Sequence, residues 1–168
     1  MPALIRPASA DDVPALVQVL LGVVRAGASV GFMADVTDED AAAFWARFLA
    51  DPAHVVLVAD EGAGGGVVGT GSLVLAPMPN GRHRAEVAKL LVRPDAQGRG
   101  LGRALLSALE DQARARGRRT LVLDTVSGSP AQALYESAGW IVVGQIDDYA
   151  DLPDGSPAPT TYLTRRLT

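Results

Sequence analysis

Apolar residues recur along this chain with two periods, and the switches between them predict its elements. ALIRPA, short, apolar and closed by Pro7, predicts a first strand. Ser9 and Asp12 then form a capping arrangement ahead of Val13, Leu16, Val17, Leu20 and Leu21 at helical spacing. Thr37 with Asp40 repeats that start signal before AAAFWARFLA, so a second helix is expected to about residue 50. From His54 the pattern becomes β-rich: HVVLVAD and VVGTGSLVLA are separated by EGAGGG, a hairpin signal, and AEVAKLLVRP follows the loop PMPNGRHR. These three strands should pair antiparallel. Residues 100–117 return to the helical period, with Leu101, Leu105, Ala108, Leu109 and Gln112 on one face and Arg103, Glu110, Asp111 and Arg114 on the others. Beyond Gly117 the pattern predicts a strand TLVLDT, a loop VSGS and a short helix PAQALYESA opened by Pro130 and ended by Gly139. A strand WIVVGQI, a polar turn-rich stretch DDYADLPDGSPAP and a last strand TTYLTRRL complete the order.

That order implies an α/β (α+β) layer structure built on one mixed sheet. At 168 residues, 48% apolar and 20% charged, the chain suits a single folded domain over residues 1–168. The net charge of −4 argues against nucleic-acid binding, which needs a positive field. No apolar run is long enough for a membrane span, and MPALIRPASADD lacks the regions of a signal peptide, so a cytoplasmic location is expected. The absence of cysteine excludes disulfides and thiolate metal sites. His54 and His83 do not stand at ligand spacing, so no metal is expected, and no G-x-S-x-G elbow is present.

One segment stands out. QGRGLG, residues 97–102, lies between the apolar run VAKLLVRP and a helix start, where backbone N–H groups and the helix dipole favour an anion. Glycines at 98, 100 and 102 would let a phosphate approach the backbone, with Arg99 and Arg103 adding positive charge. Neither the dinucleotide fingerprint nor the Walker pattern fits, because position 103 is arginine and no G-K-[ST] follows. The spacing alone leaves open whether the turn holds a ligand or only bends the chain.

QGRGLG after LLVRP, together with ALYESAGW downstream, resembles the Q/R-x-x-G-x-G/A element and its partner motif in the GNAT superfamily of acyl-CoA-dependent N-acetyltransferases. The resemblance implies a mostly antiparallel central sheet with helices on both faces, and acetyl-CoA as co-substrate. Gln97, Gly98, Arg99, Gly100, Leu101, Gly102 and Arg103 would hold its pyrophosphate. Leu90, Leu91 and Val92 would bind the pantetheine arm and thioester carbonyl. RAEVAKLLV, RRTLVLDT and GQIDDYADLPDGS further resemble the tabtoxin-resistance acetyltransferase subgroup, which acetylates the amine of a small amino-acid-like toxin.

Transfer to an amine requires a base to deprotonate an alkylammonium. By the resemblance Glu86 stands where the superfamily often has its base, and Asp124 where the subgroup has a second acid. The bland alternatives are a strand carboxylate paired with Lys89 or an arginine, and an aspartate capping the turn at VSGS. Tyr135 would protonate the leaving thiolate; otherwise it is a packed aromatic. Many superfamily members have an asparagine seven residues before that tyrosine, where this chain has Gly128, and Ser129 is the residue able to compensate. Phe32, Phe44 and Trp45 fall in a region that commonly walls the acceptor pocket, although aromatics at helical spacing more often fill a core. Tyr149, Asp151 and Asp154 lie in a polar stretch that could meet a cationic amine, where solvated loop charge is the commoner case. The resemblance thus implies a small-molecule amine as substrate and allows a homodimer. A protein or peptide amine as acceptor, and a non-catalytic acyl-CoA sensor, are the alternatives.

Overall fold

The computed structural model describes residues 3–168. Seven strands form one sheet: β1 (Leu4–Pro7), β2 (His54–Asp60), β3 (Val67–Leu75), β4 (Arg84–Val92), β5 (Thr120–Val126), β6 (Ile141–Asp151) and β7 (Pro157–Arg166), in the order β1-β2-β3-β4-β5-β7-β6. Every neighbouring pair is antiparallel except β4 and β5, which run parallel. The helices are α1 (Val13–Arg25), α2 (Asp38–Ala50), α3 (Leu101–Ala115) and α4 (Pro130–Ser137). The expected mixed, mostly antiparallel α/β architecture is what the chain adopts.

Alternation along the strands sends side chains to two separate cores. Val56 and Val58 join Leu16, Leu20 and Trp45 on the α1/α2 face, whereas Leu57 and Ala59 join Leu105, Leu109 and Leu163 on the α3/α4 face. Both predicted caps form. Thr37 accepts from the Asp40 amide at 3.1 Å, and the Ser9 amide donates to Asp12 Oδ2 at 2.7 Å. Asp12 also receives the fork of Arg6 at 2.8 and 2.9 Å, while Arg6 reaches Asp60 at 2.8 Å. This bonding lowers the Asp12 carboxyl to about 2, with the Arg6 hydrogen bonds as the largest cause.

β4 is not a regular strand. Thr70 pairs with Leu91 and Ser72 with Ala88, so two steps on β3 face three on β4, and the surplus is taken up by a bulge. Lys89 has φ of +52° there. Opposite it, a Cβ on Gly71 would lie 2.9 Å from Leu109 Cδ1 and 3.1 Å from Leu90 Cδ1, so any larger residue would force those leucines to shift.

Two expectations give way. The stretch DDYADLPDGSPAP is largely strand: β6 runs on to Asp151 and β7 begins at Pro157, leaving a short turn. Every residue of β6 is exposed, Ile141, Val142, Val143 and Ile146 included, so this edge strand is defined by pairing with β7 and has no buried face for hydrophobic alternation to mark. Glu110, expected on a polar helix face, is buried. It lies 3.0 Å from Arg165 Nε and accepts from Trp140 Nε1 at 3.3 Å. Among the described residues no helix is long and apolar enough to cross a membrane.

Candidate active site

The site begins where two strands part. β4 and β5 are paired at Arg84 with Thr120, Ala85 with Leu121 and Glu86 with Val122. Beyond that point β4 remains on β3 and β5 remains on β7, leaving a cleft between Val87–Val92 and Leu123–Val126. Because the strands are parallel, α3 and α4 both start beyond the end at which the cleft opens.

The glycine turn lies at the α3 end. Gly98 and Gly100 have φ of +74° and +80°, and Gly100 is the left-handed residue that caps α3. A Cβ at either would meet nothing within 4 Å, so backbone conformation requires these glycines and the space above them is open. Among the described residues, no amide from Gly98 to Arg103 donates to another backbone group; the first bond of this turn is Ala104 N to Gly100 O at 3.0 Å. A row of free N–H groups at the positive end of a helix suits a phosphate. Gln97 braces the turn, its side-chain amide donating to Val92 O at 3.0 Å. Arg99 pairs with Glu61, and Arg103 donates to Ser137 Oγ at 2.6 Å. Leu101 and Leu91 are buried, whereas Leu90, Val92 and Gly102 are half-buried. On the cleft side β4 has no strand neighbour past Glu86, which leaves backbone groups beside Leu90, Leu91 and Val92 open to a ligand.

The opposite lip is acidic. Ala85 and Val87 belong to the α3 core, so Glu86 projects to the α1/α2 face; the same alternation sends Asp124 and Tyr162 there. Asp124 and Tyr162 are register partners across β5 and β7, and the Tyr162 hydroxyl lies 2.6 Å from that of Tyr149. Neither carboxylate is neutralised: among the described residues Glu86 and Asp124 have no partner within 4.0 Å among the salt bridges and no side-chain hydrogen bond between them and another residue. The turn after Asp124 is capped instead by Ser129, which accepts from Gln132 N at 3.2 Å. Among the described residues Glu86 thus makes no close ion pair and Asp124 does not cap the turn.

The protonation of the cleft follows from that arrangement. Partial burial pushes the Glu86 carboxyl up, the charge of Asp124 adds to this, and Lys89 opposes it. Burial likewise raises Asp124, with Lys89 opposing. Burial, then the nearby charge of Asp124, raises Tyr135 so that its phenol stays protonated. Tyr162 is pushed up to about 12, chiefly by its hydrogen bond with Tyr149. Tyr135 is buried against Trp140 with ring centroids 5.8 Å apart, and its hydroxyl has no hydrogen-bond partner among the described residues.

A roof of two tied segments stands beside the acidic lip, and Glu86 and Asp124 remain exposed. Ser29 Oγ donates to Asp151 O at 3.2 Å and Ala34 N to Pro153 O at 3.0 Å, tying the loop between α1 and α2 to the tip of the β6–β7 hairpin. Phe32 in that loop meets Phe44 edge-on at 5.1 Å, and Tyr149 remains exposed at 44%. Trp45 does not line the cleft. It is 0% exposed and packed against Phe44 and Phe48, because helical spacing turns it into the α1/α2 core. Gly128 has φ of +73° and donates its amide to Gln132 Oε1 at 2.8 Å. Tyr162 and Lys89 also stand on this face of the sheet, and neither is singled out as a candidate by motif or spacing. Each carried a signal: Tyr162 alternates with the buried Leu163, and Lys89 interrupts an apolar strand.

A parallel pair that splits above a glycine-capped helix is a fold-level signature, and the sequence agrees: residues 24–140 match the Acetyltransferase (GNAT) family, to which the chain belongs. Mycothiol acetyltransferase of Cellulomonas flavigena is 36% identical over 119 residues, 68% of this chain but 34% of that protein. The chain therefore matches about a third of that relative's length. Among solved structures, yncA from Salmonella typhimurium, determined with its cofactor acetyl-CoA, superposes with a TM-score of 0.80 at 29% identity, covering 100% of this chain and 95% of that one. The ribosomal-protein-alanine N-acetyltransferase of Brucella melitensis does so with a TM-score of 0.80 at 28% identity, covering 98% and 99%.

Proposed function

We propose that the protein transfers an acetyl group from acetyl-CoA directly to the primary amine of a small, amino-acid-like molecule, as in the tabtoxin-resistance subgroup. The observation that carries this reading is the pair of uncompensated carboxylates, Glu86 and Asp124, on one face of the sheet where β4 and β5 separate. The free amides of Gly98–Arg103 are suited to the pyrophosphate, and the unpaired edge of β4 to the pantetheine arm and thioester carbonyl.

In this mechanism Glu86 takes the proton of the acceptor ammonium, and Asp124 holds that ammonium beside it. A carboxyl raised from its ordinary range is a better match to an amine than an unperturbed one. The neutral nitrogen attacks the thioester carbonyl carbon, the C–N bond forms, and the C–S bond breaks. Tyr135 gives its proton to the departing sulfur, and the second proton that the new amide nitrogen loses returns the phenolate to its neutral form. With no cysteine in the chain, no acyl-thiol enzyme intermediate on cysteine is available, and transfer is direct.

The tie between the α1–α2 loop and the β6–β7 hairpin beside the acidic lip supports a small acceptor over a protein terminus, because an extended peptide needs an open groove. The likeness to a ribosomal-protein-alanine N-acetyltransferase keeps a peptide amine as the second reading. CoA release measured over amino acids, polyamines, amine antibiotics and peptides separates the two. Turnover confined to peptides would overturn the proposal, as would undiminished turnover in both Glu86→Gln and Tyr135→Phe.

A further inference from the structure

Lys89 is the only lysine in a chain whose basic residues are otherwise all arginine. It occupies the β4 bulge at φ +52°, a region costly for a residue with a side chain. Its ammonium donates to Val30 O at 2.9 Å and lies 5.6 Å from the centroid of the Phe44 ring. Both contacts are to neutral groups. Glu86 and Asp124 share its electrostatic surroundings, yet none of the salt bridges within 4.0 Å involves Lys89. Val30 and Phe44 thus hold the ammonium of Lys89, three residues beyond Glu86 on β4, with no carboxylate among the described residues within 4.0 Å of it.

We propose that Lys89 binds the carboxylate of the acceptor, so that the substrate class is zwitterionic amino acids. This rests on the small-amine reading above. An amino acid carries an ammonium and a carboxylate one carbon apart, and therefore needs an anionic and a cationic subsite that adjoin without neutralising each other. Glu86 and Asp124 form the first, and Lys89 the second. A doubly charged phosphate fits less well, because one ammonium would face it while two carboxylates repel it. A compact lysine head suits the place better than an arginine fork, having protons to share between Val30 O and a ligand.

The test compares kcat/KM for a panel of L-amino acids with their matched α-amides, which keep the amine and side chain but lack the carboxylate. Wild-type protein is expected to prefer the acids by tenfold or more. In Lys89→Gln, whose amide can still donate to Val30 O, and in Lys89→Met, that ratio should fall toward one. A wild-type ratio near one overturns the proposal and leaves the small-amine reading intact. So does a ratio that keeps its wild-type value in both variants while overall rates fall, which would mark Lys89 as a prop for the loop. If neither acids nor amides are acetylated although acetyl-CoA raises the melting temperature, the small-amine reading fails and this proposal fails with it.

Discussion

Glu86 and Val122 are the last register pair between β4 and β5, and the carboxylate of Glu86 therefore stands at the apex of the split. Its charge state is coupled to Asp124 on the neighbouring strand. Replacing Glu86 by Gln is expected to lower kcat/KM by about 100-fold. The acid limb of the pH profile should lie above the ordinary carboxylate value of about 4.3. Asp124→Asn removes one cause of the upward displacement and should move that limb to lower pH. A limb that does not move would remove Glu86 from the role of base.

The same raised groups make a stability prediction of definite sign. A carboxyl that protonates more readily in the folded chain penalises folding as pH rises through its folded value, and costs nothing below its unfolded value. Asp124→Asn should therefore melt higher than the parent at neutral pH. The difference should vanish below about pH 3.5, where both states are protonated. Thermal melts across that range check it.

Asp12 behaves in the opposite way. Its carboxyl is lowered to about 2, so its contribution is fully present above the unfolded value and is lost as pH falls through the folded one. The loss should amount to about 2 kcal/mol between about pH 4 and 2. Urea titrations of Asp12→Ala should show a correspondingly flatter acid dependence.

Gly100→Ala separates backbone strain from ligand approach. The residue has φ of +80° and a methyl would touch no protein atom, so the apo protein should lose only about 1 kcal/mol. A methyl pointing into the phosphate's space should cost more, seen as a smaller rise in melting temperature with acetyl-CoA. Equal ligand-induced rises in parent and variant would count against the turn as the pyrophosphate site.

Ser29→Ala cuts one tie of the roof, the hydroxyl's bond to Asp151 O. A hydrogen bond of this kind is worth about 1 kcal/mol, so KM for the amine should rise by about threefold to fivefold. KM for acetyl-CoA should not change. Two-substrate kinetics distinguish these outcomes.

Legibility followed the physics of each region. The starts of α1 and α2 were readable because Ser9, Asp12, Thr37 and Asp40 bond locally, and local bonds leave a fixed spacing. The glycine turn was readable because positive φ at Gly98 and Gly100 restricts residue type. Alternation also put Asp124 on the strand face opposite Leu121 and Leu123, where it stands. Both strands of the β6–β7 hairpin were readable, but their extension past Ile146 and back to Pro157 was hidden because an edge strand exposed on both faces has no hydrophobic period. Trp45 was ambiguous because helical spacing alone does not say whether an aromatic faces a cavity or a core. Tyr162 enters the acidic lip only through its register with Asp124, a relationship between strands far apart in the chain.

The bulge at Lys89 has a consequence for how β4 tolerates change. Ala85 and Val87 before it, and Leu90 and Val92 after it, all face the α3 core, while Leu91 joins the α1/α2 core. Odd positions point one way before Lys89 and even positions do so after it. β4 is thus two reading frames spliced at one residue. Deleting that residue would leave every remaining amino acid in place and still turn the second frame inside out, exchanging the side chains that fill the α3 core with the one that fills the α1/α2 core.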